Sequence, residues 1–284
     1  MSVYSKDGNT ISTLYDKNGL LINQAYDING QIIHQSTAPD IRVATYNVGG
    51  WYIGSGTNVP TESKEDYVNL QQSILSAINA DIVCFQEYWD TFCADGTTAD
   101  SVIGSYFTQK EKTRSTSTWN GHVIASNGYV LSDYASTDFV NYYSNAPSWE
   151  KCYITVKGKN ICIINTHLST ATGGVKEPQS QEILDAVENE PYFIVLGDFN
   201  TETTDYTAIV KKFVDAGYNS ANLNGSEYHF NTYYTTAGVG KPTDQIITSA
   251  NIAISDVYVN PIKLTDDIND KVDHIPLIAE LVIN

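Results

Sequence analysis

From Ile41 onward, short apolar runs alternate with longer amphipathic stretches. IRVATYNV, DIVCFQE, HVIAS, KCYITV, NICIINT, YFIVLG, DQIITS, ISDVYV and IPLIAELVI are rich in β-branched residues and bounded by turn formers, so each predicts a strand. A turn at Lys157-Gly158-Lys159-Asn160 joins KCYITV to NICIINT. The stretch 61–80 opens on Thr61, an N-cap residue, and carries early acids. Its apolar positions Tyr67, Leu70, Ile74 and Ile78 fall on one helical face. Residues 178–189 and 204–216 predict two further helices, the second closed by Gly217. Several strands are apolar on both faces, so each sheet must be covered on both sides. Two packed mixed β-sheets flanked by helices meet that condition. The expected fold is therefore a four-layer α/β sandwich over residues 39–284, preceded by a short β-repeat segment.

That segment has its own period. Tyr4, Tyr15 and Tyr26 recur every 11 residues, and so do Gly8, Gly19 and Gly30. Each copy carries an Asp-Gly or Asn-Gly turn followed by a β-prone run, NTIST, LLIN or QIIH. Three such units are too small to bury a core alone. Residues 1–38 are expected to form hairpin-like units that pack on the main domain, on each other or on a larger assembly, serving attachment or oligomerisation. STAPD, at 36–40, reads as the linker. Short Tyr/Asp/Gly repeats of this kind resemble segments of phage tail and cell-surface appendage proteins.

Composition narrows the function classes. The chain has 284 residues, 42% of them hydrophobic, enough for a large core. A formal net charge of −17, with only 16 Lys plus Arg, argues against a protein held to nucleic acid by a basic surface. It leaves room for an enzyme that meets phosphate through a metal ion, because the ion supplies the positive charge. Cys84, Cys93, Cys152 and Cys162 form no CxxC pair, which speaks against zinc; Cys84 and Cys162 lie in apolar runs as small core residues. MSVYSKDGNT lacks the apolar core of a signal peptide, and no apolar run reaches membrane-spanning length. A soluble protein is expected, cytoplasmic or part of a phage or extracellular particle.

The polar residues that end the strands carry the chemistry. Asn47 closes VATYN, Glu87 closes DIVCFQE, and Asn165 and His167 close CIINTH. Asp198 and Asn200 close FIVLGDFN, Asp244 opens DQIIT, and Asp273-His274 precede IPLIAEL. Singly, each has an ordinary explanation as a turn cap or a solvated end. Asp198 and Asn200 stand two apart, so an extended strand would aim both at one side; they are also common turn residues. Asn, Asp, Glu or His at so many strand termini is what metal-assisted phosphodiester hydrolysis needs. Hard oxygen ligands suit Mg²⁺, a carboxylate orients water, and histidines and amides hold phosphate oxygens.

The ordered set TYNV, DIVCFQE, NTHLS, GDFN, TDQII and VDHIP resembles the endonuclease/exonuclease/phosphatase superfamily, which includes DNase I-like enzymes, over residues 41–284. The resemblance implies a four-layer α/β sandwich. It implies Mg²⁺, with Mn²⁺ or Ca²⁺ as substitutes, at Glu87, with Asn47 beside the metal and Asp273 completing that side. It implies that Asp198 orients or deprotonates the attacking water and Asn200 holds water and phosphate. It makes His274 the essential histidine, oriented by Asp244, and His167 a second histidine at a phosphate oxygen or the leaving group. Asn120, in TWNGHVIAS, borders the cleft, and Asn165 joins it in binding substrate; His122 is a packing residue. Gln245 departs from the Tyr or His often found after this Asp, and no motif supplies an acidic partner for His167. Among substrates a nucleic acid bound transiently ranks first, with Lys110, Lys112 and Arg114 as the densest basic segment in 107–120. Trp51 and Tyr52, in the Gly-rich loop 49–60, are candidates to stack on bases or touch a lipid interface. A phospholipid or inositol-phosphate phosphoesterase is the alternative, and a non-enzymatic attachment protein the third reading.

Overall fold

The strand-forming runs pair into two six-stranded mixed sheets. A computed structural model describes residues 3–4, 10–11, 24–26, 32–35, 38–49, 64–88, 103–104, 106–112, 121–140, 148–170, 174–202, 204, 206–224, 227–234, 240–259 and 274–284. Asn120, Asp273, Cys93, Arg114 and the loop from residue 50 to 60 lie outside them.

The main body runs β1 (Ile41–Asn47), α1 (Lys64–Ile78), β2 (Ile82–Gln86), β3 (Gln109–Lys112), β4 (Val123–Ser126), β5 (Ser132–Asp138), β6 (Ser148–Val156), β7 (Lys159–His167), α2 (Lys176–Val187) and β8 (Phe193–Asp198). A π-helical turn, Tyr206–Val210, leads into α3 (Lys211–Asp215); β9 (Asn219–Ser220), β10 (Asp244–Thr248), β11 (Ile252–Val259) and β12 (Leu277–Ile283) follow. One sheet has the order β11-β12-β1-β2-β4-β3, the other β9-β10-β8-β7-β6-β5. Within each, a single pair is parallel: β1 with β2, spanned by α1, and β7 with β8, spanned by α2. These two crossovers bring four strand C-termini to the same kind of edge, where a site can be built.

Three apolar layers fill the spaces. Ile74, Leu75 and Ile78 of α1 pack on Ala44, Tyr46, Val83 and Phe85 of the first sheet. Ile183 and Val187 of α2, with Ile209, Val210 and Phe213, pack on Cys162, Ile164, Phe193 and Val195 of the second. Between the sheets lie Ile41, Val43, Ile82, Cys84, Cys152, Ile163, Ile194, Leu196 and Ile246. Alternate residues of one strand thus serve different layers, which is why the strands read as unbroken apolar runs. This is the four-layer sandwich expected from the sequence.

Among the strands that were not expected, two border the main sheets. Gln109–Lys112 and Ser132–Asp138 are edge strands, polar along their length, and β5 leaves its side chains mostly exposed. An edge strand covered on few sides needs no apolar run, and polar side chains protect it from pairing with other chains. At the front, Val3–Tyr4 pairs antiparallel with Thr10–Ile11, and Gln24–Tyr26 with Ile32–Gln35. These strands flank the Asp-Gly of the first repeat copy and the Asn-Gly of the third; the turns themselves lie outside the described residues. Among the described residues, no helix is long and apolar enough to cross a membrane.

Candidate active site

Strand register assembles the site. In the second sheet His167 stands opposite Asp198, and Asp198 opposite Asp244, so three neighbouring strands present polar residues at one level. In the first sheet Asn47 stands opposite Gln86, the last residue of its strand. Glu87 follows with φ of 53°, a left-handed conformation that is rare outside glycine, and the chain turns there. Asn47 and Glu87 thereby face the cluster of the other sheet across the sandwich interior.

Asp198 is the hub. Its side chain is 1% exposed. Oδ2 accepts the Asn47 amide N–H at 2.8 Å and lies 3.6 Å from His167 Nε2 and 3.7 Å from His274 Nε2. Burial by itself would raise the Asp198 pKa; the two histidines, Asn47 and the backbone N–H of Asn200 outweigh it and hold the carboxyl below its ordinary value. Glu87 shows the opposite balance. Burial pushes its pKa up, against the pull of His167, His274 and the Asn47 amide 3.2 Å away. His167 also lies 4.0 Å from Glu87, which supplies the acidic neighbours that no motif revealed. Glu87 and His167, with side chains 18% and 12% exposed, form the solvent-facing lip of the site.

His274 is set by a second carboxylate. Its Nδ1 lies 3.1 Å from Asp244 Oδ2, which also accepts the Thr243 hydroxyl at 2.9 Å. Thr232 Oγ1 accepts the Asp244 backbone N–H at 3.0 Å. Asp244 is fully buried, and burial raises its pKa against the pull of His274. A carboxylate on Nδ1 orients the ring, with Nε2 turned toward Asp198 at 3.7 Å. The Tyr233 ring packs on His274 with centroids 4.9 Å apart. Thr232, Thr243 and Tyr233 were not legible as site residues, since Thr and Tyr recur throughout the chain.

Asp198 and Asn200 divide differently than alternation suggests. β8 ends at Asp198, and Asn200 has φ of 49°. Its N–H donates to Asp198 Oδ1 at 2.7 Å, its side-chain Nδ2 to the Leu168 carbonyl at 2.7 Å, and its own carbonyl accepts Lys176 Nζ at 2.7 Å. Asn200 thus closes a turn, its amide nitrogen taken up by the Leu168 carbonyl rather than turned to water and phosphate as expected, while Asp198 Oδ2 faces the histidines. Asn165 corrects an expectation. It lies between the sheets and is fully buried, and its amide is taken up by the protein rather than turned to a substrate. Asn47 sits at the site but turns its nitrogen to the carboxylates, while its oxygen accepts the Gly49 N–H at 2.9 Å. It brackets Glu87 and Asp198. His122 is buried and driven down to about 3 by burial and then by His167, so it stays neutral packing. Gln245 is buried, donating to the Pro242 carbonyl at 3.0 Å.

Among the described residues, carboxylates gather at two places. Glu87 offers a carboxylate at the open lip, 4.0 Å from His167. Asp198, Asp244 and His274 also bring ligand atoms within 4.8 Å of one another, but the hydrogen bond between His274 and Asp244 already uses Nδ1.

The Endonuclease/Exonuclease/phosphatase family model matches residues 44–266. Among solved structures, the human Nocturnin catalytic domain with bound sulfate anion shares 20% identity at a TM-score of 0.63, covering 86% of this chain and 94% of that one. A D. rerio TDP2 humanized by 14 mutations shares 13% at 0.66, covering 85% and 98%. An endonuclease/exonuclease/phosphatase from Bacteroides vulgatus shares 15% at 0.66, covering 86% and 99%. At these identities the likeness is one of fold. A search of curated proteins gives no match.

Proposed function

The chain belongs to the endonuclease/exonuclease/phosphatase family, and from that premise we propose that it is a divalent-metal-dependent phosphodiesterase acting on nucleic acid. One observation carries the reading: Asp198 lies between two histidines, with a second buried carboxylate behind one of them. Asp198, kept ionised by this surrounding, orients the attacking water and takes its proton. His274, charged with the help of Asp244, donates from Nε2 to a phosphate oxygen and stabilises the charge that develops there. His167 faces the same space and serves a second phosphate oxygen or the leaving group. Asn200 keeps Asp198 Oδ1 tied to the backbone, so that Oδ2 alone faces the substrate. A Mg²⁺ at Glu87, with Asp273 as a further ligand, would polarise the phosphate and offset its charge. The sulfate held by the human Nocturnin domain is a tetrahedral anion, in keeping with a phosphate site on this fold.

Nucleic acid is favoured by the placement of the basic segment. Phe85 pairs with Val123, and Val123 with Lys112, so β3 ends on the same edge of the sheet as Glu87. Lys110 and Lys112 belong to β3, and Arg114 follows in the sequence, a basic run suited to a polynucleotide backbone. The test is a panel of plasmid DNA, single-stranded RNA, sphingomyelin vesicles and inositol polyphosphate in Mg²⁺. Cleavage of nucleic acid is expected, lost in EDTA and in Glu87→Gln. Full activity in EDTA would overturn the metal, and hydrolysis of only the lipid or the inositol phosphate would overturn the substrate.

A further inference from the structure

Beneath the site, the apolar filling between the sheets is interrupted by one polar layer. Thr45, Gln86, Asn165 and Glu150 are all fully buried there. Asn165 Nδ2 reaches three acceptors, the Phe85 carbonyl at 3.0 Å, the Val123 carbonyl at 3.1 Å and Glu150 Oε1 at 2.9 Å. Its Oδ1 accepts Gln86 Nε2 at 2.8 Å. Gln86 Nε2 also donates to the Cys84 carbonyl at 3.1 Å, and its Oε1 accepts the Thr45 hydroxyl at 3.3 Å. Glu150 Oε2 accepts the Tyr134 hydroxyl at 2.7 Å. The layer therefore bolts β1, β2 and β4 of one sheet to β5, β6 and β7 of the other.

Apolar side chains would fill this level at lower desolvation cost. What the polar layer adds is direction. Gln86 immediately precedes Glu87, whose left-handed backbone is held on one side by the Val48 N–H donating to the Gln86 carbonyl at 3.1 Å. On the other side the Tyr88 N–H donates to the Gly121 carbonyl at 2.8 Å. Asn165 stands two residues before His167 on β7. Each end of the Gln86–Asn165 hydrogen bond is thus a short lever onto a site residue of a different sheet. An apolar interface has no preferred register on the scale of side-chain contacts, whereas directional hydrogen bonds between strands favour one separation.

We infer that the Gln86–Asn165–Glu150 bridge is a positioning element, setting the separation of Glu87 on one sheet from His167 and Asp198 on the other. The inference rests on the phosphodiesterase reading above for its site, and its residues touch neither substrate nor metal. Gln86→Met keeps the volume and removes the bridge. It is expected to fold, to raise the Mg²⁺ concentration for half-maximal activity by about tenfold or more, and to change KM at saturating Mg²⁺ much less. The dose of Mg²⁺ that raises the melting temperature should shift by the same factor, which reads the ion without turnover. Glu150→Gln, which keeps an acceptor for Asn165, should stay within about threefold of the parent in both measurements. Thr45→Val removes one hydroxyl and should shift both doses in the same direction by about two- to threefold, and it serves should Gln86→Met not fold. Unchanged Mg²⁺ doses in whichever folded variant is measured would overturn the inference. If the parent hydrolyses no phosphoester yet Mg²⁺ still raises its melting temperature, the functional reading falls while the melting comparison still decides the bridge.

Discussion

Asp198 divides its two oxygens between a turn and the polar cluster. Oδ1 accepts the Asn200 N–H and closes the turn, while Oδ2 faces Asn47, His167 and His274. Asp198→Asn retains an oxygen for the turn but loses the base, so the variant should fold and lose turnover by roughly a hundredfold to ten-thousandfold. His274→Ala should cost on the order of a hundredfold or more. The two act on one transition state, so the double variant should cost far less than the product of the single losses. Single-turnover rates on a nucleic acid substrate, with folding checked by thermal melting, decide this. Near-normal turnover in folded Asp198→Asn would leave GDFN as a turn only.

At the level of elements, the parallel pair β7–β8 is close enough to require glycine at position 197. A Cβ there would stand 2.0 Å from the Thr166 carbonyl oxygen, a backbone atom that cannot move aside. Gly197→Ala should therefore cost at least about 2 kcal/mol, which lowers the melting temperature by roughly 4–8 °C for a chain of this size. A melting temperature equal to the parent's would show that the strands tolerate the spread. The polar layer between the sheets makes a pH prediction of its own. Burial pushes Glu150 up to about 8 from an ordinary value of 4.5, against the hydrogen bonds from Tyr134 and Asn165 that lower it. A carboxyl raised in the folded state binds its proton more tightly folded than unfolded, so its stabilising contribution is full below the ordinary value. It is then lost as pH rises through the folded one. Glu150→Gln has no such proton. Its melting temperature should gain on the parent's between about pH 5 and about pH 8. Parallel curves would show that Glu150 is ionised throughout.

Taken whole, the molecule carries a net charge of −17, so long-range attraction to a polyanion is absent and any grip on nucleic acid must be local. On the proposed function, Lys110 of β3 and a cation at Glu87 would supply it. We propose that residues 1–38 form a separate attachment or self-association segment, since every site residue lies after Ile41. Deleting residues 1–37 should leave kcat on a small soluble phosphodiester such as bis-p-nitrophenyl phosphate within about twofold. Light scattering on the same pair reads whether the repeat joins copies. A large loss of kcat in a folded truncation would place the repeat in the site.

By itself the sequence determined which segments become buried strands and helices, because apolar periodicity reports burial directly. It also determined the kinds of side chain that end the strands, and hence the class of chemistry. GDFN, NTHLS and TDQII needed no coordinates to be seen as related. Only the tertiary structure decided what those side chains do to one another. Register places His167, Asp198 and Asp244 at one level, and register depends on pairing between strands far apart in the chain. Asn165 and His167 look alike in the sequence, two polar residues at the end of one strand. One is sealed between the sheets and the other faces the site, because the apolar filling stops between them. Gln86 and Glu150 gave no signal at all: a buried polar residue is recognisable only by its partners, and theirs stand on the opposite sheet.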